Sequence, residues 1–103
     1  TKAIMIESIA NPGGVVVDIA AISAIAKKAG VPLIVDNTLA SPYLCRPKDH
    51  GADVVLHSMT KFICGQRELI GGAILDCRPP DVAASSSIAA PMTGRSPAAS
   101  IRR

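Results

Sequence analysis

Aromatic residues are almost missing from this chain. Its 103 residues include one Tyr, one Phe and no Trp, 2% of the whole. Aromatic rings bury more area per residue than other side chains, so any core must be built from Ile, Val, Leu and Ala. Rings interleaved with basic residues, which single-strand nucleic-acid binding uses for base stacking, are excluded. Paired cysteines are missing too. Cys45, Cys64 and Cys77 are odd in number and none stand as CxxC, which argues against a disulfide framework. His50 and His57 fall at no metal-ligand spacing with them, so no metal site is expected. No apolar run approaches the roughly 18–20 residues of a membrane span. Residues 1–8 lack the basic start and apolar length of a signal peptide. The expectation is a reduced, cytoplasmic protein with no membrane contact. The chain opens without Met inside a strand-like segment, so its natural N-terminus is expected upstream.

What is present is apolar. Hydrophobic residues make up 49% and charged residues 18%, which excludes a chain disordered throughout. The net charge of +3 and pI near 9.0 point at first to nucleic acid. Residues 1–76, however, carry seven basic and seven acidic side chains, while residues 77–103 carry four arginines against one aspartate. The excess charge belongs to the last quarter, and four arginines without interleaved rings are a weak footprint for nucleic acid. No nucleic-acid partner is expected.

Ala3-Ile4-Met5-Ile6-Glu7 reads as a short buried strand, and Asn11-Pro12-Gly13-Gly14 as a turn. Asp18 suits a helix N-cap. Ile19, Ile22, Ile25, Ala26 and Ala29 recur at helical spacing, Lys27 and Lys28 suit the last turn, and Gly30 and Pro32 stop the helix. Leu33-Ile34-Val35 is apolar on successive residues and reads as a strand buried on both faces, ending at Asp36. A weakly helical stretch leads to the strand Val54-Val55-Leu56, then to Ser58, Thr60 and Lys61. Gly71-Gly72 introduces a last strand, Ala73-Ile74-Leu75. This alternation predicts an α/β fold with a mainly parallel sheet and flanking helices. Residues 77–103 are rich in Ala, Ser, Pro and Arg without periodicity, and read as a low-complexity, disordered tail.

In parallel sheets, ligands lie beyond the carboxyl ends of the strands. Those ends carry Asn11, Asp36 and Ser58 to Lys61 here. A pyridoxal 5′-phosphate site needs a lysine for the aldehyde, a carboxylate for the pyridine nitrogen, and hydroxyl or N–H groups for the phosphate. Neighbouring strand ends are about 4.8 Å apart, so Asp36 and Lys61 can reach opposite parts of one ring. On spacing alone, ordinary turn chemistry is the commoner explanation of the same residues.

A longer set of motifs adds to this. Glu7-Ser8-Ile9-Ala10-Asn11-Pro12-Gly13-Gly14, Pro32-Leu33-Ile34-Val35-Asp36-Asn37-Thr38, Ser41-Pro42-Tyr43, Arg46-Pro47, Gly51-Ala52-Asp53 and His57-Ser58-Met59-Thr60-Lys61-Phe62-Ile63 follow in order. Across residues 2–76 the chain resembles the Cys/Met-metabolism (transsulfuration) family of PLP-dependent enzymes, and within it the O-acetylhomoserine sulfhydrylases. The resemblance implies a piece of a fold-type-I, aspartate-aminotransferase-like large domain. It implies Lys61 as the catalytic lysine bonded to the cofactor, which also shuttles protons, and Asp36 at the pyridine nitrogen. Ser58 and Thr60 would bind the phosphate, and Asn11 the phenolic oxygen. Glu7, Asn37 and Thr38 would support these from behind. The implied reaction is γ-replacement on O-acetyl-L-homoserine by sulfide or a thiol, in a homotetramer. Cystathionine γ-synthase, cystathionine or methionine γ-lyase, and a truncated inactive fragment are the alternatives.

The sequence also departs from the family. After Gly65 come Gln66, Arg67, Glu68 and Leu69, where the family carries a Gly-His-Gly-like turn. The substrate arginine, a phosphate loop and the ring-stacking aromatic residue have no counterpart, and residues 77–103 do not follow the family's continuation. Residues 1–76 are therefore expected to be a partial cofactor-binding domain, inactive by itself.

Overall fold

A computed structural model describes residues 1–66 and 70–80. The expected tail beyond residue 80 and most of the divergent loop, residues 67–69, lie outside the described residues. Among the described residues, four strands form one sheet in the order β1-β2-β3-β4. They are β1 (Ile4–Glu7), β2 (Leu33–Asp36), β3 (Val54–Ser58) and β4 (Gly72–Asp76), with helix α1 (Ile19–Ala29) between β1 and β2. The short helix α2 (Ser41–Leu44) and a 3₁₀ turn (Pro47–His50) join β2 to β3. The first three strands are parallel, with Glu7 opposite Asp36 and Asp36 opposite Leu56. β4 returns antiparallel to β3, with Ser58 opposite Gly72. The sheet is therefore mainly parallel, as the alternation of elements predicts.

α1 starts and stops where its capping chemistry dictates. The Asp18 carboxylate accepts the Ala21 N–H at 2.9 Å, an N-cap worth about 1 kcal/mol. Gly30 closes the helix in the left-handed region (φ 67°), which costs glycine nothing, and its N–H reaches the Ala26 and Lys27 carbonyls. The buried stripe is Ile19, Ser23 and Ala26. The isoleucine periodicity misplaces it slightly, since Ile25 is 57% exposed and Ser23 faces inward. Ser23 is inward because its hydroxyl donates to the Gly51 carbonyl at 2.8 Å, pinning the helix to the turn before β3.

The core joins Ile19 and Ala26 of α1 to Leu33, Val35, Ala52 and Val55. Asp53 fixes the start of the sheet: its carboxylate accepts the Leu33 N–H at 2.8 Å and its own N–H donates to the Leu33 carbonyl. Two strand expectations need correction. β1 and β2 are buried on the α1 face only. On the other face Met5 and Ile74 are 62% and 77% exposed and Ile34 is half-buried, because no described element covers that side.

Candidate active site at the carboxyl ends of the strands

Each of the three parallel strands ends in a polar residue held by its neighbours. After β1 the chain turns back through Gly13 and Gly14, both at positive φ (114° and 67°). The turn is closed by the Ala10 N–H on the Val15 carbonyl and by a bridge between Ile9 and Val16. Asn11, at its tip, precedes a cis peptide bond to Pro12. Its N–H donates to Glu7 Oε2 at 2.7 Å, which holds the turn over the end of β1.

At the end of β2, Asp36 Oδ1 accepts the Thr38 N–H at 2.9 Å, an Asx turn that fixes the carboxylate's orientation. Thr38 then reaches across to β3, where its Oγ1 accepts the Ser58 N–H at 2.8 Å. The chain next winds through a short helical turn (Met59–Ile63) interrupted at Lys61, whose backbone (φ −94°, ψ −115°) is not helical. Gly65 N–H closes on the Lys61 carbonyl at 2.9 Å. Thr60 turns the other way. Its hydroxyl accepts the Gly71 N–H at 3.0 Å and donates to the Gly71 carbonyl at 3.3 Å, tying the turn to the start of β4.

These elements enclose an open cavity of about 170 Å³ whose walls include Asn11, Asp36, Ser58 and Lys61. Four of the five residues singled out in the sequence therefore meet at one place. Thr60 is the exception. It lines a second, mostly apolar cavity of about 430 Å³ that shares Leu39 and Lys61 with the first. The first cavity is also lined by Glu7 and Thr38, read from sequence as supports, and by Ile9 and Leu39, which sequence reasoning did not flag. The signal for Ile9 was available: it stands two residues beyond Glu7, the period of one strand face, as Thr38 does beyond Asp36.

The model of the Cys/Met metabolism PLP-dependent enzymes matches residues 1–100. The chain belongs to this family. Over 76 residues, 74% of this chain and 17% of the relative, it is 53% identical to an O-acetyl-L-homoserine sulfhydrylase of Leptospira meyeri. It is 49% identical over 75 residues to a cystathionine gamma-lyase of Bacillus subtilis, covering 73% of this chain and 20% of that one. The pairwise matches thus take in about three-quarters of this chain, while the chain spans only about a sixth to a fifth of the length of these relatives. Among solved structures, a proposed O-acetylhomoserine (thiol)-lyase of Campylobacter jejuni is 46% identical, with a TM-score of 0.72 over 74% of this chain and 19% of that one. That protein carries N′-pyridoxyl-lysine-5′-monophosphate. A cystathionine gamma-lyase of Lactobacillus plantarum gives a TM-score of 0.76 at 40% identity, over 82% of this chain and 22% of that one.

Members of this family are PLP-dependent enzymes of sulfur amino-acid metabolism, and the residues of the first cavity fit that cofactor by their donor set. Asp36 Oδ2 makes no hydrogen bond among the described residues, which leaves an anionic acceptor in the cavity wall. Lys61 brings an amine, Ser58 a hydroxyl and Asn11 an amide. A pyridinium N–H, an aldehyde, a phosphate and a phenolic oxygen need these four kinds of group. Behind the site, burial pushes the His57 imidazole below the usual histidine range, against the opposing pull of the Asp36 carboxylate and the Asn37 backbone. His57 is therefore neutral at physiological pH. Among the described residues, no helix is long and apolar enough to cross a membrane.

Proposed function

We propose that the cavity between β1, β2 and β3 holds pyridoxal 5′-phosphate, and that the protein carrying this chain catalyses γ-replacement on O-acetyl-L-homoserine by sulfide or a thiol. The convergence of Asp36, Lys61, Ser58 and Asn11 on one cavity carries the first part of this reading. The 53% identity to an O-acetyl-L-homoserine sulfhydrylase supports the second. When bound, the cofactor supplies an electron sink for the pair left at the substrate α-carbon.

The chain's own groups do the rest. Lys61 Nζ would hold the cofactor's aldehyde carbon and would move protons at the substrate α- and β-carbons. Asp36 holds a proton on the pyridine nitrogen. Its orientation is preset by the Thr38 N–H, so no reorganisation is needed on binding. Asn11 donates to the phenolic oxygen, and its position is preset by Glu7. Ser58 donates its hydroxyl to the phosphate. Thr60 would join it there only by giving up its hydroxyl's bonds to Gly71, of which the one to the carbonyl is a long 3.3 Å. The substrate arginine and the remaining phosphate contacts come from outside residues 1–76.

The experiment is a product assay on the protein that carries this chain, with O-acetyl-L-homoserine, sulfide and pyridoxal 5′-phosphate. Homocysteine formation dependent on sulfide is expected. Release of a 2-oxo acid and ammonia at the same rate with and without sulfide would assign a γ-lyase instead.

A further inference from the structure

Three polar side chains lie in one row on the sheet face that packs against α1. Ser8, Asn37 and His57 are 2%, 0% and 6% exposed. The register that sets Glu7 opposite Asp36, and Asp36 opposite Leu56, sets Ser8 beside Asn37 and Asn37 beside His57. Both ladders continue past the strand ends to this row, through Ser8 N–H on the Asp36 carbonyl and Asn37 N–H on the Leu56 carbonyl. Among the described residues, each of the three side chains carries a buried polar atom with no hydrogen-bond partner, Ser8 Oγ, Asn37 Oδ1 and His57 Nδ1, and the Asn37 backbone is the one group near enough to the His57 ring to favour its protonated form by hydrogen bonding. Native proteins rarely leave such atoms unpaired, and three in one row call for a common explanation.

Their chemistry is complementary. Asn37 Nδ2 gives its hydrogens to the Ser41 carbonyl at 3.1 Å and the Cys45 carbonyl at 2.8 Å. That fixes which way the amide points and leaves Oδ1, an acceptor with two lone pairs, between its neighbours. A serine hydroxyl can donate, and an imidazole Nδ1 can donate when it carries the ring proton. Neighbouring strands are about 4.8 Å apart, a gap that a short side-chain adjustment or one buried water closes.

We propose that Asn37 Oδ1 is the shared acceptor of a buried hydrogen-bond row, receiving the Ser8 hydroxyl and the His57 Nδ1–H directly or across one water, and that His57 is thereby a positioning residue for the strand ends that carry the site. The row stands back to back with that site. Asn37 follows Asp36, His57 precedes Ser58, and Ser8 follows Glu7, which holds Asn11. Through Asn37 the row also holds the turn at residues 41–45. The bonds themselves do not depend on the cofactor reading, whereas their functional meaning rests on it.

The test is nitrogen NMR of the full chain labelled in histidine, without added cofactor. The expected result is a His57 ring protonated on Nδ1 and bare on Nε2, the reverse of the form a free histidine side chain prefers. Hydrogen exchange of the Asn37 side-chain amide is the second readout. His57→Leu should speed that exchange about tenfold, the effect of losing one buried hydrogen bond. His57→Asn, which returns an N–H donor near the place of Nδ1, should bring it back to within about twofold. A side chain that only fills space would give equal exchange in both variants, and that result overturns the proposal, as does a wild-type ring protonated on Nε2. If His57→Leu fails to fold, Ser8→Ala removes the other donor and should speed exchange with the His57 tautomer unchanged; unchanged exchange overturns the row. Borohydride trapping of the cofactor at Lys61 in the same protein reports on the site separately. Missing label with the Nδ1–H ring intact removes the cofactor reading and leaves the row standing.

Discussion

Thr38→Val isolates the contact that binds β3 to β2 at the site. Thr38 makes two hydrogen bonds there: its N–H donates to Asp36 Oδ1 at 2.9 Å, and its Oγ1 accepts the Ser58 N–H at 2.8 Å. Valine keeps the shape and the backbone N–H and removes only the hydroxyl. The Ser58 N–H, half-buried, then has no acceptor. Leaving such a donor unpaired costs about 1–3 kcal/mol, and solvent reaching this open cavity moves the figure towards the lower end, about 1–2 kcal/mol. Thr38→Ser keeps the acceptor and should cost under about 1 kcal/mol, the loss of one methyl group. A 1–2 kcal/mol loss corresponds to a folded-to-unfolded ratio lower by about 5–30-fold. Urea unfolding followed by circular dichroism would show a lower midpoint for Thr38→Val at unchanged slope. Because the bond also fixes Ser58 in the cavity wall, cofactor trapping at Lys61 should weaken in Thr38→Val and persist in Thr38→Ser. Equal behaviour of the two variants in both assays would refute the reasoning, since only the hydroxyl distinguishes their contacts with Ser58.

Other predictions follow from single contacts. Asp18→Ala removes the α1 N-cap and should lower stability by about 1 kcal/mol, whereas Asp18→Asn should retain most of it; urea midpoints decide. Burial lowers the His57 pKa in the folded chain, so the unfolded chain binds the proton first as pH falls. Stability should be level above about pH 7 and decline once pH drops through the ordinary histidine value of about 6.5, and His57→Asn should flatten that decline between about pH 6.5 and 5. A decline of the same slope in the variant would assign it to other groups.

The fold was legible where local chemistry is strong. Asp18, Gly30 and Pro32 bracket α1, and the alternation of apolar segments gave the succession of strands and helices and the mainly parallel sheet, though not the order of strands within it. The inward face of α1 was less legible, because Ser23 is buried by a long-range bond to Gly51 that no helical period encodes. Burial of both sheet faces was expected from the apolar run at β2, yet a sequence run cannot show which neighbouring element covers a face. At the site, Asp36, Ser58 and Lys61 were readable because strand ends gather at one edge of a parallel sheet. Thr60 shows the limit of that logic. Its hydroxyl points to Gly71, eleven residues on, and a β4 that turns back antiparallel is not visible in the spacing. The row of Ser8, Asn37 and His57 was equally hidden, since it appears only when three registers are known.

Lys61 is the residue on which the proposed site depends most directly. Incubation of the chain with pyridoxal 5′-phosphate, borohydride reduction and mapping of the modified peptide compare Lys61 with Lys2, Lys27, Lys28 and Lys48, the other lysines of the chain. The cavity of Asn11, Asp36, Ser58 and Lys61 predicts label concentrated at Lys61 and lost in Lys61→Ala. Label spread evenly over all five lysines would contradict it.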